Sequence, residues 1–545
     1  MDLHEQAQAW LAQDPDPATR HELQALIENN SDELIDCFSA RLQFGTAGLR
    51  GKLGPGPNRM NRVVVMQAAA GLAAYLKQHH PHEASVVIGY DARYNSDVFA
   101  ADTAAIMQGA GINALVLPES LPTPVLAFAI KHLGASAGVM VTASHNPPED
   151  NGYKVYLADG CQIVPPADTE IAAEIDEMAS TMDVGDLPTD DQWMTLDYAV
   201  VDEYVSRAVA FVGPDATGQR ASLTTVVTPM HGVGGGLLER VLTEAGFASP
   251  VRVAEQFDPD PNFPTVAFPN PEEPGAMDLA LATATRIHPD LVIANDPDAD
   301  RCAVGIPLPS GGYRMLSGDE VGYALGWWAT LRPGERNTLA QSLVSGGMLE
   351  SIARTAGLEY RQTLTGFKWI GRIPTLRFGY EEALGYCVDP EAVSDKDGIT
   401  AALAVADLVA TLKADGKTIL DLLDQLAEEH GLFATRQVSE RVAELSMIAA
   451  IMAVLRRDPP AQAGHLTVEE IIDLEAGTHL PPTDGLVFHL SERGRIIVRP
   501  SGTEPKIKAY LQVVVDVDAD IDHARQEADR QLNELANDVA QWFAR

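Results

Sequence analysis

The sequence predicts several doubly wound α/β domains in one chain, and three observations carry the prediction. First, 545 residues at 46% apolar and 21% charged make an ordinary globular composition, too long for one hydrophobic core, so three or four domains are expected. Second, from Arg50 onward one motif recurs: a short β-branched run ends in a polar or Gly-rich loop, and an Ala/Leu-rich helical segment follows. Third, strands that feed helices through such loops build sheets whose ligands gather at the carboxyl ends of the strands, and several such ends here must converge on one cleft.

Taken in order, residues 1–40 read as helices, with apolar positions at helical spacing from His21 to Leu34 and a break at Asp14-Pro15-Asp16-Pro17. They are expected to form an arm packed on the first domain. The β-branched runs are Ser85 to Ile88, Ala137 to Thr142, Thr224 to Val227, Leu291 to Ala294 and Leu339 to Val344. The apolar stretch Ile399 to Leu412 contains Asp407 and reads as a core helix. Thr483 to Val498 reads as strand, turn and strand, and Asp518 to Phe543 as one long amphipathic helix. Domain boundaries are expected to give 1–206, 207–317, 318–442 and 443–545.

Asp plus Glu outnumber Lys plus Arg by 77 to 39, a net charge of −38 that repels polyanions and excludes non-specific nucleic-acid binding. Only 10 of the basic residues are lysines, and six of these (Lys52, Lys154, Lys368, Lys396, Lys506, Lys508) lie in Gly-rich or polar loops, as an anionic ligand would require. The four cysteines (Cys37, Cys161, Cys302, Cys387) have the spacing of neither a disulfide framework nor a zinc site, which points to a reducing cytoplasm. No signal-peptide pattern opens the chain and no apolar run approaches ~18 residues, so a soluble protein off the membrane is expected.

The strongest chemical signal is Asp296-Pro297-Asp298-Ala299-Asp300-Arg301, directly after an apolar strand. Carboxylates at i, i+2 and i+4 can converge on one hard cation, and oxygen-only ligation selects Mg²⁺ or Ca²⁺ over Zn²⁺. An EF-hand is excluded by Arg301 at the sixth and Pro307 at the twelfth position. The alternative is a solvated acidic turn, but Arg301 suits a metal-bound phosphate better. A second signal is Thr142-Ala143-Ser144-His145-Asn146-Pro147, also at a strand end. No GxSxG elbow surrounds Ser144, which disfavours acyl transfer. A serine that carries phosphate fits better, its oxygens completing the metal's ligands while His145 and Lys154 supply positive charge; the alternative is a capping turn.

Arg499-Pro500-Ser501-Gly502-Thr503-Glu504-Pro505 combines a guanidinium, two hydroxyls and exposed N–H groups, and reads either as a phosphate clamp or as a Pro/Gly hairpin. The loops around Arg50 and Lys52, and Thr365-Gly366-Phe367-Lys368-Trp369, are weaker basic signals. Glu381-Glu382 reads as a sugar-hydroxyl acceptor pair or a charged helix terminus. Asp395-Lys396-Asp397-Gly398 reads as a helix cap, and Tyr90-Asp91-Ala92-Arg93 as an internal salt-bridged loop. Together the loops supply a transferable phosphate position, a divalent cation, a second phosphate clamp and a carboxylate pair, the set needed to move a phosphoryl group within a phosphosugar.

The segments TASHNP, DPDADR, TGFKW, EEALGY and RPSGTEP stand in the order and spacing of the α-D-phosphohexomutase superfamily, which the chain resembles from about Phe44 to its C-terminus. The resemblance implies three related α/β domains and a smaller C-terminal α+β domain around one central cleft. It implies a phosphoserine at Ser144, Mg²⁺ on Asp296, Asp298 and Asp300 with the Ser144 phosphate, and sugar contacts from Glu381 and Glu382 beside Thr365 and Gly366. It also implies phosphate held by Arg499, Ser501, Gly502 and Thr503, with Arg50, His145, Lys154, Arg301 and Lys368 in catalytic roles. EEALGY with TLTGFKW resembles the branch of glucose, mannose and pentose mutases, Ala383 standing where many members carry a hydroxyl. The expected reaction interconverts glucose 1-phosphate and glucose 6-phosphate through a hexose 1,6-bisphosphate, glucose 1,6-bisphosphate serving as activator, in a monomer or homodimer. The competing classes are a metal-dependent phosphatase, with water as final acceptor, and a phosphosugar-binding regulator without turnover.

Overall fold

A computed structural model describes residues 2–29, 31–46, 48–80, 83–442, 445–478, 480–501, 506–518 and 520–544. The chain divides into two compact units, Met1–Leu316 with Gly385–Thr411, and Ser317–Leu384 with Leu412–Arg545. The predicted class holds, with three α/β domains and a smaller fourth domain built on an antiparallel sheet.

In the first unit, one sheet runs in the spatial order Leu49–Lys52, Asp150–Leu157, Ala137–Val141, Ser85–Tyr90, Asn113–Val116, Met194–Thr195. Its four strands from Ala137–Val141 onward are parallel, and the first two run antiparallel to their neighbours. The N-terminal helices Leu3–Gln13, Pro17–Glu28 and Asp32–Phe38 bury Ala7, Trp10, Leu23 and Leu34 in the same apolar cluster as Val86, Val139 and the helix Arg62–His79, as expected of a packed arm. Asp2, Asp16 and Ser31 start these helices by accepting backbone N–H groups, and Pro17 occupies a first-turn position where no N–H is needed. A second sheet runs Tyr313–Met315, Ala303–Pro307, Leu291–Ala294, Thr225–Thr228, Val251–Arg252, again parallel in one half and antiparallel in the other.

These antiparallel edges correct one expectation. After Ala137–Val141 and after Leu291–Ala294 the chain does not enter a helix; it turns back as a neighbouring strand. The reason lies in the next residues along the chain: Tyr153, Val155 and Tyr156, then Val304 and Ile306, are buried, β-favouring side chains within short strands. The Ser144 and Asp296–Asp300 loops are therefore hairpin tips, each held from both sides by strand. Each tip also carries a non-glycine residue in the left-handed region, Ser144 at φ 52° and Ala299 at φ 53°, which costs on the order of 1–3 kcal/mol apiece and must be offset by surrounding bonds.

In the second unit, strands Glu359–Thr363, Thr338–Ser342 and Leu376–Glu381 are parallel. A six-stranded antiparallel sheet contains Leu432–Arg441, Lys506–Val515, Arg495–Pro500, Leu486–Leu490, Leu466–Asp473 and Gln462–Ala463 in spatial order. The helix Ile521–Phe543 covers it with Ala524, Ala528, Leu532, Leu535, Val539 and Trp542, a helical stripe of three- and four-residue steps. Glu381 ends a strand, so the helix-terminus alternative for Glu381-Glu382 is set aside. The four cysteines are free and buried. Among the described residues, no helix is long and apolar enough to cross a membrane.

Candidate active site

In the first unit the two hairpin tips meet. Ser144 Oγ donates to Asp296 Oδ2 at 2.7 Å, and His145 Nδ1 lies 3.2 Å from the same Oγ. Asp296, Asp298 and Asp300 are almost completely buried. Lys154, from the strand that leaves the Ser144 loop, donates to Asp298 Oδ2 (2.7 Å) and Asp300 Oδ2 (3.1 Å). Arg301 lies 3.9 Å from Asp296 and 3.5 Å from Glu272, and Arg50 donates to Asn146 Oδ1 in the serine loop at 3.1 Å.

The serine loop is fixed from beneath by the segment that reads as an internal salt-bridged loop. The buried Arg93 donates from Nη2 to the carbonyls of Ser144 and Asn146 and from Nη1 to those of Pro147 and Asp150. Its partner Asp91 accepts from Thr142 Oγ1, which in turn accepts the Ser144 N–H. These bonds hold Ser144 in its left-handed conformation.

Close backbone approach packs the aspartate loop. Gly398 donates to the Ala299 carbonyl at 3.1 Å, and a Cβ there would stand 2.1 Å from the Arg301 carbonyl oxygen. Gly232 is as tightly placed, 2.3 Å from Pro297 Cα by the same measure.

Lys396 belongs to this cluster and was missed. Asp397 does cap the helix Gly398–Ala414, accepting from the Ile399 and Thr400 N–H groups, as the sequence suggests. But Lys396 Nζ reaches Asp300 Oδ2 at 2.6 Å. The available signal was the scarcity of lysine, which already marked Lys396 as one of six in polar loops.

Charge within the cluster is unevenly balanced. Burial, then Asp298 and Asp300, pushes Asp296 up to about 8. Burial and Asp300 also push Asp298 up, but Lys154 and Thr123 outweigh them, and Asp300 is likewise held low by Lys154 and Lys396 against its burial. Two lysines thus keep two carboxylates ionised, while Asp296 is held toward its protonated form, a shift that a cation bound among the three would reverse. Burial, then Arg301 and Arg50, holds His145 well below its ordinary value, so the imidazole is neutral near pH 7.

The donor set fits a hard cation. One oxygen from each aspartate lies within 4.8 Å of the others, and Asp298 Oδ1 and Asp300 Oδ1 are buried with no hydrogen-bond partner. Such oxygens are costly unless something positive occupies the space between them.

In the second unit, Gly366 N–H donates to Glu381 Oε1 at 2.7 Å, which docks Thr365, Gly366 and the Lys368 helix Phe367–Ile370 on the glutamate pair. Glu382 Oε2 accepts from Ser342 and Ser345, both at 3.1 Å. Tyr510 is raised by burial and by Glu382, with Arg499 opposing, so a neutral hydroxyl sits among Glu381, Glu382 and Arg499. Ser501 follows Arg499 at the strand end, its N–H donating to the Lys506 carbonyl at 2.8 Å. Gly502 and Thr503 lie outside the described residues.

Four regions match, in order, the models for phosphoglucomutase/phosphomannomutase α/β/α domain I (residues 41–182), domain II (202–307), domain III (317–430) and the C-terminal domain (437–532). The chain belongs to the phosphoglucomutase/phosphomannomutase family. It is accordingly an intramolecular phosphotransferase, an isomerase of the mutase type. A family member from Haemophilus influenzae named "Probable phosphomannomutase" is 49% identical over 483 residues, covering 87% of this chain and 97% of that one. The human "Phosphopentomutase" is 33% identical over 590 residues, covering 99% and 96%. The fold matches the crystal structure of a Paramecium phosphoglucomutase with a TM-score of 0.70 at 19% identity, covering 93% and 97%.

Proposed function

We propose that this phosphosugar mutase interconverts α-D-glucose 1-phosphate and glucose 6-phosphate through a phosphorylated Ser144. The observation that carries the reading is the 2.7 Å contact of Ser144 Oγ with a buried cluster of three carboxylates that has the donor set for a hard cation. In the forward half-reaction the free sugar hydroxyl oxygen bonds to phosphorus as the bond from phosphorus to Ser144 Oγ breaks, giving the 1,6-bisphosphate. In the second half Ser144 Oγ bonds to the other phosphorus as that phosphorus parts from its sugar oxygen. The proton of the attacking sugar hydroxyl ends on Ser144 Oγ in the first half; in the second half His145, neutral and 3.2 Å from Oγ, takes it as Oγ attacks, and it passes to the released sugar oxygen. Lys154, Lys396, Arg50 and Arg301 offset charge on the transferring group. Asp296, Asp298 and Asp300 hold Mg²⁺, which when bound lowers the cost of negative charge on the transferring phosphoryl group. In the second unit, Glu381 and Glu382 with Thr365 and Gly366 read sugar hydroxyls, Lys368 adds charge, and Arg499, Ser501, Gly502 and Thr503 bind the phosphate that is not reacting.

Glucose presents neighbouring equatorial hydroxyls at C3 and C4 that suit a glutamate pair, and mannose keeps both. A pentose forfeits one or more charge-assisted bonds of about 1.5–3 kcal/mol each, roughly tenfold or more in specificity. Side-by-side turnover should therefore give kcat/KM in the order glucose, mannose, ribose 1-phosphate, with a small first gap and a large second one. The second reading, a pentomutase, draws on bonds that already occupy the pair: Gly366 N–H takes one Glu381 oxygen, and two serines take one Glu382 oxygen. Ribose 1-phosphate turned over faster than glucose 1-phosphate would establish it instead.

Glu382 gives a pH test of the sugar-reading role. Burial, then Glu381 and Asp319, pushes it up to about 7. A raised acid is protonated below its pKa and accepts hydrogen bonds fully only above it. For glucose 1-phosphate, kcat/KM should rise as pH climbs through about 7, and Glu382→Gln should lose that limb. The substrate phosphate, which titrates near 6, serves both proteins equally. An unchanged limb in the variant would remove Glu382 from sugar recognition.

A further inference from the structure

Besides the Ser144 loop, a second uncharged group around the aspartates comes from a different domain. Thr123 begins the helix Thr123–Leu133, within the region that matches domain I, and is completely buried. Its Oγ1 donates to Asp298 Oδ2 at 2.7 Å, and its N–H donates to the Asp298 carbonyl at 2.9 Å. Asp298 is thereby gripped at side chain and backbone by a single residue. Lys154 takes the same Oδ2, so both bonds fall on one carboxylate oxygen and Oδ1 is buried without a hydrogen-bond partner, while one oxygen of each of the three aspartates lies within 4.8 Å of the others. The flanking Pro122 and Pro124 fix the approach of the chain to this helix start.

We propose that Thr123 sets the divalent-cation affinity of the site by locking the Asp298 carboxylate with Oδ1 turned toward the ion. The proposal rests on the reading that Asp296, Asp298 and Asp300 hold a cation. Without the Thr123 hydroxyl, Lys154 alone directs Oδ2, and a single flexible ammonium on a four-carbon stem leaves the carboxylate free to rotate. Partners of this kind, which touch the ligand and not the ion, change metal affinity by about 10- to 100-fold. The cation site of the second domain is in this way tuned by the first.

The test is a Mn²⁺ titration of the full-length protein, following free Mn²⁺ by electron paramagnetic resonance, with Thr123→Val, Thr123→Ser and Asp298→Asn beside the wild type. Thr123→Val should weaken Mn²⁺ binding by about 10- to 100-fold. Thr123→Ser, which keeps the hydroxyl, should restore it. The same Val variant should need more Mg²⁺ for half-maximal turnover while kcat at saturating Mg²⁺ returns toward the wild-type value, which a merely structural role would not produce. Should Thr123→Val not fold, Thr123→Ala removes the same hydroxyl and keeps the helix start. Wild-type affinity in Thr123→Val or Thr123→Ala overturns the proposal while leaving the cation site intact, provided Asp298→Asn loses binding. No binding by the wild type overturns the site itself, and the proposal with it.

Discussion

Ser144→Ala should lose turnover by about 10⁴-fold or more, because in this account Ser144 Oγ holds the phosphoryl group between the two halves of the reaction. The fold should survive. Ser144 contributes one side-chain bond to Asp296, while the loop itself is held by Arg93 through four backbone carbonyls, and those bonds do not involve the hydroxyl. The corresponding measurement on the unaltered protein is phosphopeptide mapping after incubation with glucose 1,6-bisphosphate, which should place one phosphate on Ser144. Full activity in the variant, or phosphate on another residue, would contradict the phosphoserine assignment.

Asp298→Asn should lower kcat/KM by about 10²- to 10³-fold, the usual effect of removing one group that stabilises a developing charge. Asparagine keeps the shape and can still accept from Thr123 and Lys154, so unfolding temperature should change little. Lys154 also retains Asp300, which limits the cost of the lost charge. The substitution removes one of the two buried, unpartnered oxygens as an anionic ligand. Raising Mg²⁺ should recover part of the activity if affinity is the main loss. Near-normal Mg²⁺-dependent turnover at low Mg²⁺ would take the aspartate loop out of the mechanism.

The parts of this protein that were legible in its sequence are those with a periodic or compositional signature. Strands such as Leu291–Ala294 are continuous apolar runs, and the helix Ile521–Phe543 carries its apolar stripe at three- and four-residue steps. The element that succeeds a given strand was less legible. The segments after Ser144 and after Asp300 return as antiparallel strands, because Tyr153, Val155, Val304 and Ile306 favour sheet and find a neighbouring strand, a fact of tertiary pairing that a local reading misses. The aspartate loop was visible because its three carboxylates are two residues apart. Thr123 and Lys396 lie 175 and 96 residues from the aspartates they bind, and neither carries a local pattern. Arg93 was recognised as a salt-bridged residue, but its four carbonyl acceptors are backbone atoms of a distant loop, and sequence does not display which carbonyls a fold leaves in need of a donor.

A mutase moves the phosphoryl group within a sugar and does not give it to water, and phosphorus NMR distinguishes the two fates in one experiment. Glucose 1-phosphate is followed in the presence of Mg²⁺ and a catalytic amount of glucose 1,6-bisphosphate. The 6-phosphate should accumulate to equilibrium with little inorganic phosphate, and release of inorganic phosphate in step with loss of the 1-phosphate would contradict the mutase reading in favour of a hydrolase.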